Sequence, residues 1–244
     1  MKRFLKIALV LSIALSFAAG VMYAKGKTYV APADIDLTKL LPPPPAQKSA
    51  QTEKEINEIL DFQKNRTKEM IDYAVADQTI SVFRFSDILG ENFIKEKLPF
   101  TAEFFANVTN TASDVVSPAK DFWNRPRPSA WDSRVKPCVK VPTNAAYPSG
   151  HSTAGNLMAI ILANMLPEKS AEIFNRGWAF AVNRIIGGVH YRSDSEAGRI
   201  AATLIAADMF KNSDFKADFE KSKAEVRKAL GYDKEPVAVG TAAK

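Results

Sequence analysis

The sequence predicts an all-α fold, a single-domain helical bundle of about seven or eight helices. The first reason is a succession of segments, from about residue 52 to about residue 230, in which apolar residues recur at helical spacing. The second is the scarcity of period-two alternation and the lack of Asn-Gly or Asp-Gly turns between β-branched runs. The third is composition: 244 residues, 46% hydrophobic and 25% charged, suit one globular domain and exclude disorder, collagen-like repeats and a disulfide-dense scaffold.

Residues 1–24 have the layout of a secretory signal peptide. Lys2, Arg3 and Lys6 precede an apolar run that ends in small residues, and cleavage is expected after residue 20 or 24. The apolar run of about 14 residues is shorter than the roughly 20 that span a bilayer, so a retained anchor is the weaker alternative. We therefore expect a periplasmic protein with no membrane insertion after the signal is removed.

The formal net charge of +6 at first suggests nucleic acid or an anionic membrane as partner. Removal of Lys2, Arg3 and Lys6 with the signal lowers it to +3 and leaves no basic block. Nucleic acid is therefore not expected as the main partner. Cys138 is the only cysteine, so the chain has no internal disulfide and must rely on its core.

The rest of the chain divides into an arm, a helical domain and a tail. Residues 25–51 are expected to form an arm, because the four prolines at 42–45 favour an extended conformation. The domain spans 52–231, and 232–244 is a small, polar, flexible tail. Helices are predicted at about 52–76, 77–89, 101–116, 118–124, 150–166, 168–187, 194–211 and 214–230, with a loop over 129–148. Ser193 and Glu196 resemble a capping box.

A first chemical cluster is cationic and contains Lys120, Arg125, Arg127 and, farther on, Arg134. Alone, such a cluster is more often a solvated face than a site. A second cluster, Pro148-Ser149-Gly150-His151, stands directly before an apolar helical stretch. A loop-to-helix junction of this kind exposes backbone N–H groups at the positive end of a helix, which favours anion binding. The alternative is an ordinary capped helix with a surface histidine.

A third cluster runs from Asn183-Arg184 through Gly187-Gly188 to His190 and Asp194. The glycines are expected to end one helix, so that His190 falls in a turn before the next. Asp194 is close enough in sequence to accept a hydrogen bond from one imidazole nitrogen and so fix which nitrogen is free. A purely structural His-Asp pair is the alternative.

Together the three clusters are specific. Their order resembles the three-part signature of the phosphatidic acid phosphatase type 2 superfamily. The first part is Lys120, six residues and Arg127-Pro128; the second is Pro148-Ser149-Gly150-His151; the third is Arg184, five residues, His190, three residues and Asp194. The signal peptide, helical body and size resemble those of its bacterial class A non-specific acid phosphatases. The resemblance implies a secreted, broad-specificity acid phosphatase acting on small-molecule phosphomonoesters.

The resemblance also implies a role for each motif residue. Lys120, Arg127 and Arg184 would bind phosphate, helped by the Ser149 hydroxyl and the Gly150 backbone N–H. His190 would be the nucleophile, Asp194 would orient it, and His151 would be the general acid. These cations and donors could neutralise the phosphoryl oxygens by themselves, so no metal or other cofactor is expected.

Asn183 departs from the family pattern, which usually has Ser before that arginine. Its amide could still support phosphate by a weakened or redirected hydrogen bond. Three alternatives remain open: a vanadium-dependent haloperoxidase, a lipid-phosphate phosphatase, and a non-catalytic periplasmic protein that binds anions. The oligomeric state is also open, with a homo-oligomer as one alternative.

Overall fold

The computed structural model describes residues 26–233. The predicted signal peptide and the tail beyond residue 233 lie outside this range. Between residues 26 and 233 every regular element is a helix and there is no strand, which confirms the predicted all-α class. In chain order the elements are α1 Leu37–Leu40, α2 Ala50–Asn65, α3 Lys68–Ala76, a 3₁₀ turn Val82–Phe85, α4 Ser86–Leu89, α5 Pro99–Trp123, α6 Pro128–Trp131, α7 Gly150–Met165, a 3₁₀ turn Pro167–Lys169, α8 Ser170–Ile186, α9 Arg192–Met209 and α10 Ser213–Ala229.

Helix α7 is the centre of the bundle, and α8, α9 and α5 pack around it. Nearly all of its residues from Ser152 to Met165 are buried, so it is apolar on most of its circumference. The approach of α8 depends on two glycines. A Cβ at Gly155 would lie 2.6 Å from that of Phe180, and one at Gly177 would lie 2.4 Å from that of Ala159. Larger residues would push the two helices apart.

The segment before α2 is packed into the main core. Tyr29, Ile35, Leu37 and Leu41 are all 5% exposed or less. The Tyr29 backbone N–H donates to Thr111 Oγ1 on α5 at 3.0 Å. These contacts make this segment a part of the folded unit, held by apolar burial as well as by polar contacts.

Several predicted helix boundaries differ from the structure. The segment predicted as one helix over 77–89 is non-helical to residue 81 and then forms the 3₁₀ turn Val82–Phe85 and the short α4. The segment predicted as one helix over 52–76 is two helices, because the Thr67 side chain caps α3 by accepting the Met70 N–H. The break predicted near residue 117 does not occur, since α5 runs through Pro118 to Trp123. Pro118 is exposed while Val116 and Ala119 beside it are buried, so packing of the inner face outweighs the loss of one backbone hydrogen bond.

The predicted capping box of Ser193 and Glu196 is wrong. Helix α9 begins at Arg192, with Tyr191 as its N-cap residue. Asp194 accepts the Tyr191 backbone N–H at 2.9 Å, which a capping carboxylate does from the third helical position. The Ser193 hydroxyl instead donates to Glu55 on α2.

None of the helices between residues 26 and 233 is long and apolar enough to cross a membrane. Cys138 is a free, half-buried thiol whose Sγ lies 3.8 Å from the Ile186 carbonyl oxygen.

Candidate active site

The three sequence clusters meet at one cavity of about 200 Å³. Lys120, Arg127, Gly150, His151 and His190 line it, and the face of α5 from Thr109 to Ser117 forms one wall. A larger groove of about 790 Å³ beside α2 contains none of the predicted site residues. The smaller cavity is therefore the candidate site, since it combines a concave shape with the predicted chemistry.

Helix ends place the motif side chains at this cavity. Lys120 lies in the last turn of α5, which stops at Asn124 in the left-handed conformation. Ser149 is the N-cap of α7, where its side chain accepts the Ser152 N–H. The chain leaves α8 through Gly188, at φ 74°, and places His190 in the turn before α9. Such turns between packed helices hold a side chain firmly while leaving one edge of it accessible.

His190 is held with one ring nitrogen free of a proton. Its Nε2 lies 2.8 Å from Arg127 Nη1, and its Nδ1 lies 3.0 Å from Asp194 Oδ2. A guanidinium can only donate, so Nε2 must accept and therefore carries the lone pair. Nδ1–H then donates to Asp194. The ring is 1% exposed, and this pair of contacts fixes both its tautomer and its orientation.

Asp194 is fully buried and held by more than the histidine. Its Oδ2 also accepts the Tyr191 N–H, and its Oδ1 accepts from Arg125 Nη1 at 2.6 Å. The Asp194 carbonyl oxygen accepts the Ser149 N–H at 2.9 Å. The residue thereby connects the second and third motifs directly.

The basic groups of the first motif contact backbone carbonyls around the cavity. Lys120 Nζ donates to Ala145 and Pro148 carbonyl oxygens at 2.9 and 2.6 Å. The guanidinium of Arg127 donates to the oxygens of Asn144, Ala145 and Val189 as well as to His190. Loop 129–148 thus positions both cations.

Several hydrogen-bond donors at the site have no protein acceptor in the described part of the chain. Arg184 is 1% exposed, and its Nε and Nη1 find no partner. Gly150 and His151, the first two residues of α7, have backbone N–H groups with no acceptor among residues 26–233. Buried unsatisfied donors are costly, so their concentration here favours an anion as ligand.

Burial and mutual repulsion lower the pKa of every basic group at the site. The pKa of Lys120 falls to about 7, first because of burial and then because of Arg127. Burial also lowers the pKa values of Arg127 and Arg184 to about 10. The pKa of His190 lies well below its usual value, from burial and then from Arg127, Lys120 and the other cations. An anion in the cavity would reverse these shifts.

His151 is positioned by a residue outside the three motifs. Its Nε2 lies 3.1 Å from the Gln78 carbonyl oxygen. Because a carbonyl only accepts, Nε2 carries the hydrogen and Nδ1 is left to gain or lose a proton. Burial, then Arg184, lowers the pKa of His151 to about 4.

Asn183 makes a different contact from the expected one. Its amide nitrogen donates to Asp77 Oδ2 at 2.8 Å, and the buried Asp77 carboxylate also pairs with the buried Arg176 and the half-buried Arg84. The amide group that was expected to support phosphate thus has one N–H committed to a carboxylate.

Three contacts with site residues could not be inferred from sequence. Gln78, Asn144 and Glu55 lie outside the motifs, and nothing in their spacing distinguishes them from ordinary polar residues. From sequence, Arg125 is only one cation of the first cluster. Within residues 26–233, no group of three or more His, Cys, Asp or Glu side chains is arranged to hold a metal ion.

Comparisons with known proteins agree with the motifs. The family model described as "PAP2 superfamily" matches residues 102–216. An acid phosphatase of Zymomonas mobilis is 35% identical over 145 residues, which are 57% of this chain and 54% of that protein. A non-specific acid phosphatase of Providencia stuartii is 30% identical over 206 residues, 80% of this chain and 82% of that one. Among solved structures, a bacterial vanadium-dependent iodoperoxidase shares the fold, with a TM-score of 0.56, 18% identity, and coverage of 70% of this chain and 52% of its own.

Proposed function

Because the chain belongs to the PAP2 superfamily, we propose that it is a secreted acid phosphatase that hydrolyses small phosphate monoesters through a phosphohistidine, without a metal. The observation that carries the proposal is the cavity of about 200 Å³ lined by Lys120, Arg127 and both histidines, with the buried Arg184 close enough to lower the pKa of each histidine. Relatives named acid phosphatase support the reaction class. For the division of the chain we propose a signal at 1–24, an arm over 25–51 that packs into the core of the domain over 52–231, and a tail at 232–244.

The substrate phosphate binds among the free donors. Arg184 supplies Nε and Nη1, and the start of α7 supplies the Gly150 and His151 N–H groups, aided by the helix dipole. Lys120 adds positive charge from the end of α5. When phosphate binds, Arg127 donates to a phosphoryl oxygen in place of His190 Nε2. The lone pair of that nitrogen then becomes free. Ser149 supports the site from the N-cap position of α7. Asn183, whose amide donates to Asp77, supports Arg184, the next residue on α8.

The first chemical step forms the phosphoenzyme. The lone pair of His190 Nε2 attacks phosphorus, a P–N bond forms and the P–O bond to the leaving group breaks. The bound phosphate dianion raises the pKa of His151 again, so that Nδ1 is protonated. Nδ1 gives this proton to the leaving oxygen, so an alcohol departs and not an alkoxide. The imidazole becomes positively charged, and Asp194, 3.0 Å from Nδ1, stabilises that charge.

The second step releases phosphate. Water gives a proton to His151 and attacks phosphorus as the P–N bond breaks, and the bonding electrons return to His190 Nε2. The cations and N–H donors stabilise the charge on the three equatorial oxygens in both steps, which is the larger part of catalysis in phosphoryl transfer. After phosphate leaves, both histidines are in their starting protonation states.

The direct test is phosphate release from 4-nitrophenyl phosphate at mildly acid pH in excess EDTA. We expect turnover by the wild-type chain and its loss in His190→Ala. Asn164→Ala, on the exposed side of α7, is the matched control and should retain wild-type turnover. An inactive wild type, full activity in His190→Ala, or inactivation by EDTA would each contradict the proposed function.

A further inference from the structure

We propose that Glu55 and Arg125 are positioning residues for the nucleophile, acting on His190 through Asp194. This inference rests on the proposed function, because it concerns the nucleophilic step. Neither residue lines the cavity or contacts its donors. Their effect is expected on the rate of phosphoryl transfer to His190 and not on phosphate binding.

A continuous row of charge-assisted hydrogen bonds connects α2 to the nucleophile. Glu55 Oε2 lies 3.1 Å from Arg125 Nη2, and Arg125 Nη1 lies 2.6 Å from Asp194 Oδ1. The other Asp194 oxygen is 3.0 Å from His190 Nδ1. Because Arg125 binds one carboxylate oxygen, it leaves the other directed at the imidazole. Rigid guanidinium geometry suits this bridging role, which a lysine would not reproduce.

The row is almost completely removed from solvent. Glu55, Arg125 and Asp194 are 2%, 3% and 0% exposed. Arg125 is further confined by the Tyr191 ring, whose centroid lies 3.8 Å from the guanidinium carbon. Charges in such surroundings act on one another far more strongly than at the surface.

Glu55 changes the net charge next to His190 although the two residues are not in contact. With Glu55 present, the two carboxylates and one guanidinium carry a net charge of −1 next to His190. Without Glu55, Asp194 and Arg125 neutralise each other. The imidazole becomes cationic as the P–N bond forms, so the extra negative charge stabilises the transition state relative to the free enzyme.

Glu55 also fixes the start of α9. Its Oε1 accepts the Ser193 backbone N–H at 2.9 Å, and its Oε2 accepts the Ser193 hydroxyl at 3.0 Å. Ser193 is the residue between Arg192 and Asp194 in the first turn of α9. A carboxylate at a helix N-terminus is favourable by itself, and here it also holds the backbone that carries Asp194. Glu55 lies on α2, which precedes residues 102–216, so it is outside the part of the chain that the family model matches.

An ion pair between α2 and α9 provides a matched control. Glu58, one turn after Glu55 on α2, pairs with Arg192 at the start of α9. Both are near 30% exposed and neither contacts Asp194. If Glu55 served only to dock α2 on α9, Glu58→Gln and Glu55→Gln would have similar effects on turnover.

The experiment compares wild type, Glu55→Gln, Arg125→Lys and Glu58→Gln. Single-turnover quench measures the rate of phosphoenzyme formation, product inhibition measures the affinity for inorganic phosphate, and thermal unfolding verifies the fold. For Glu55→Gln we expect phosphoenzyme formation to slow about tenfold, the effect of one pKa unit of lost stabilisation, with phosphate affinity unchanged. Arg125→Lys should show the same split, and Glu58→Gln should match wild type.

The pH profile gives a second readout. His190 faces Asp194, Arg127, Lys120, Arg184 and His151, and Arg125 and Glu55 stand behind Asp194. Loss of the Glu55 charge makes the imidazole harder to protonate, so the acid limb of kcat/KM should move to lower pH in Glu55→Gln and stay in place in Glu58→Gln. A merely structural defect would not move it.

The possible results separate the two proposals. If wild type does not release phosphate, the proposed function fails and this inference fails with it. If wild type is active and Glu55→Gln equals it in rate, or if Glu58→Gln is equally impaired, only the inference is overturned. Loss of phosphate affinity in parallel with rate would also overturn it. If Glu55→Gln does not fold, Arg125→Lys decides, and a wild-type rate there would contradict the role.

Discussion

Lys120 shows most clearly how the surroundings of one residue set its chemistry. It is 6% exposed and lies beside Arg127, and burial together with that neighbour lowers its pKa to about 7. A lysine in this state is partly neutral near neutrality and becomes fully cationic only when the pH falls or a dianion binds. Binding of phosphate should therefore take up protons.

The lowered pKa of Lys120 predicts that activity falls at alkaline pH. As pH rises through about 7, the free enzyme loses the Lys120 charge, so kcat/KM for a phosphomonoester should fall. In Lys120→Arg the side chain stays charged, and the limb should move to higher pH even if the rate at its optimum is lower. A full pH profile of both proteins is the measurement. An alkaline limb at the same pH in Lys120→Arg would assign it to another group.

If His151 is the general acid, the activity lost in His151→Ala should depend on the leaving group. If it protonates the departing oxygen, His151→Ala should lose about 10²- to 10⁴-fold with an alkyl phosphate, whose alkoxide leaves poorly. The loss should be much smaller with 4-nitrophenyl phosphate, whose phenolate needs little protonation. His190→Ala is the control, because loss of the nucleophile should affect both substrates. Equal losses for the two substrates in His151→Ala would rule out this role.

The helices that carry the site are tied together by close backbone approach. A Cβ placed on Gly198 of α9 would lie 2.6 Å from the Ser149 carbonyl oxygen and 2.7 Å from Ser152 Cβ. Real contacts are not so short, so α9 could approach the start of α7 only with glycine at this position. The distance between these two helix ends sets the separation of the second and third motifs.

Gly198→Ala should therefore harm both stability and catalysis. We expect a loss of about 2 kcal/mol in the free energy of unfolding, despite the better helix propensity of alanine, together with lower kcat. Thr203→Ala, on an exposed position of the same helix, is the control and should leave both unchanged. Denaturant unfolding and steady-state kinetics measure the two effects. Unaltered stability in Gly198→Ala would show that the helices can separate at little cost.

Helices α7 and α8 could be predicted closely from sequence, whereas α5 could not. The first two have long apolar runs with clear caps or stops, such as Ser149 and Gly187. Pro118 is a strong local signal for a break, and only the burial of Val116 and Ala119 explains why α5 continues. Local sequence rules cannot predict that α5 continues, because the residues that pack against Val116 and Ala119 come from other parts of the chain.

The same limit applies to the site. Motif spacing named five of the residues that line the cavity, since each motif is local: Lys120, Arg127, Gly150, His151 and His190. The link from Glu55 to Arg125 joins positions 70 apart, and its link to Ser193 joins positions 138 apart. Nothing near Glu55 in the sequence indicates these contacts. They become visible only after α2 has packed against the start of α9.

At the scale of the molecule, the segment before α2 contributes to the common core. Leu37 is 2% exposed within the main apolar cluster, while Leu40 in the same short helix is 52% exposed. Leu37→Ala should lower the free energy of unfolding by about 3 kcal/mol through lost burial and a cavity. Leu40→Ala should change it by less than about 0.5 kcal/mol. Equal effects of the two substitutions in denaturant unfolding would show that this segment is not packed as described.

The central claim is that His190 is the nucleophile, and trapping the intermediate tests it most directly. Wild type mixed with a phosphomonoester, quenched in base to preserve phosphohistidine and digested, should give a peptide carrying one phosphoryl group on His190 by mass spectrometry. His190→Ala should give none, and His151→Ala should still form the adduct with 4-nitrophenyl phosphate. Turnover by wild type with no adduct under single-turnover conditions, or an adduct on another residue, would contradict the account.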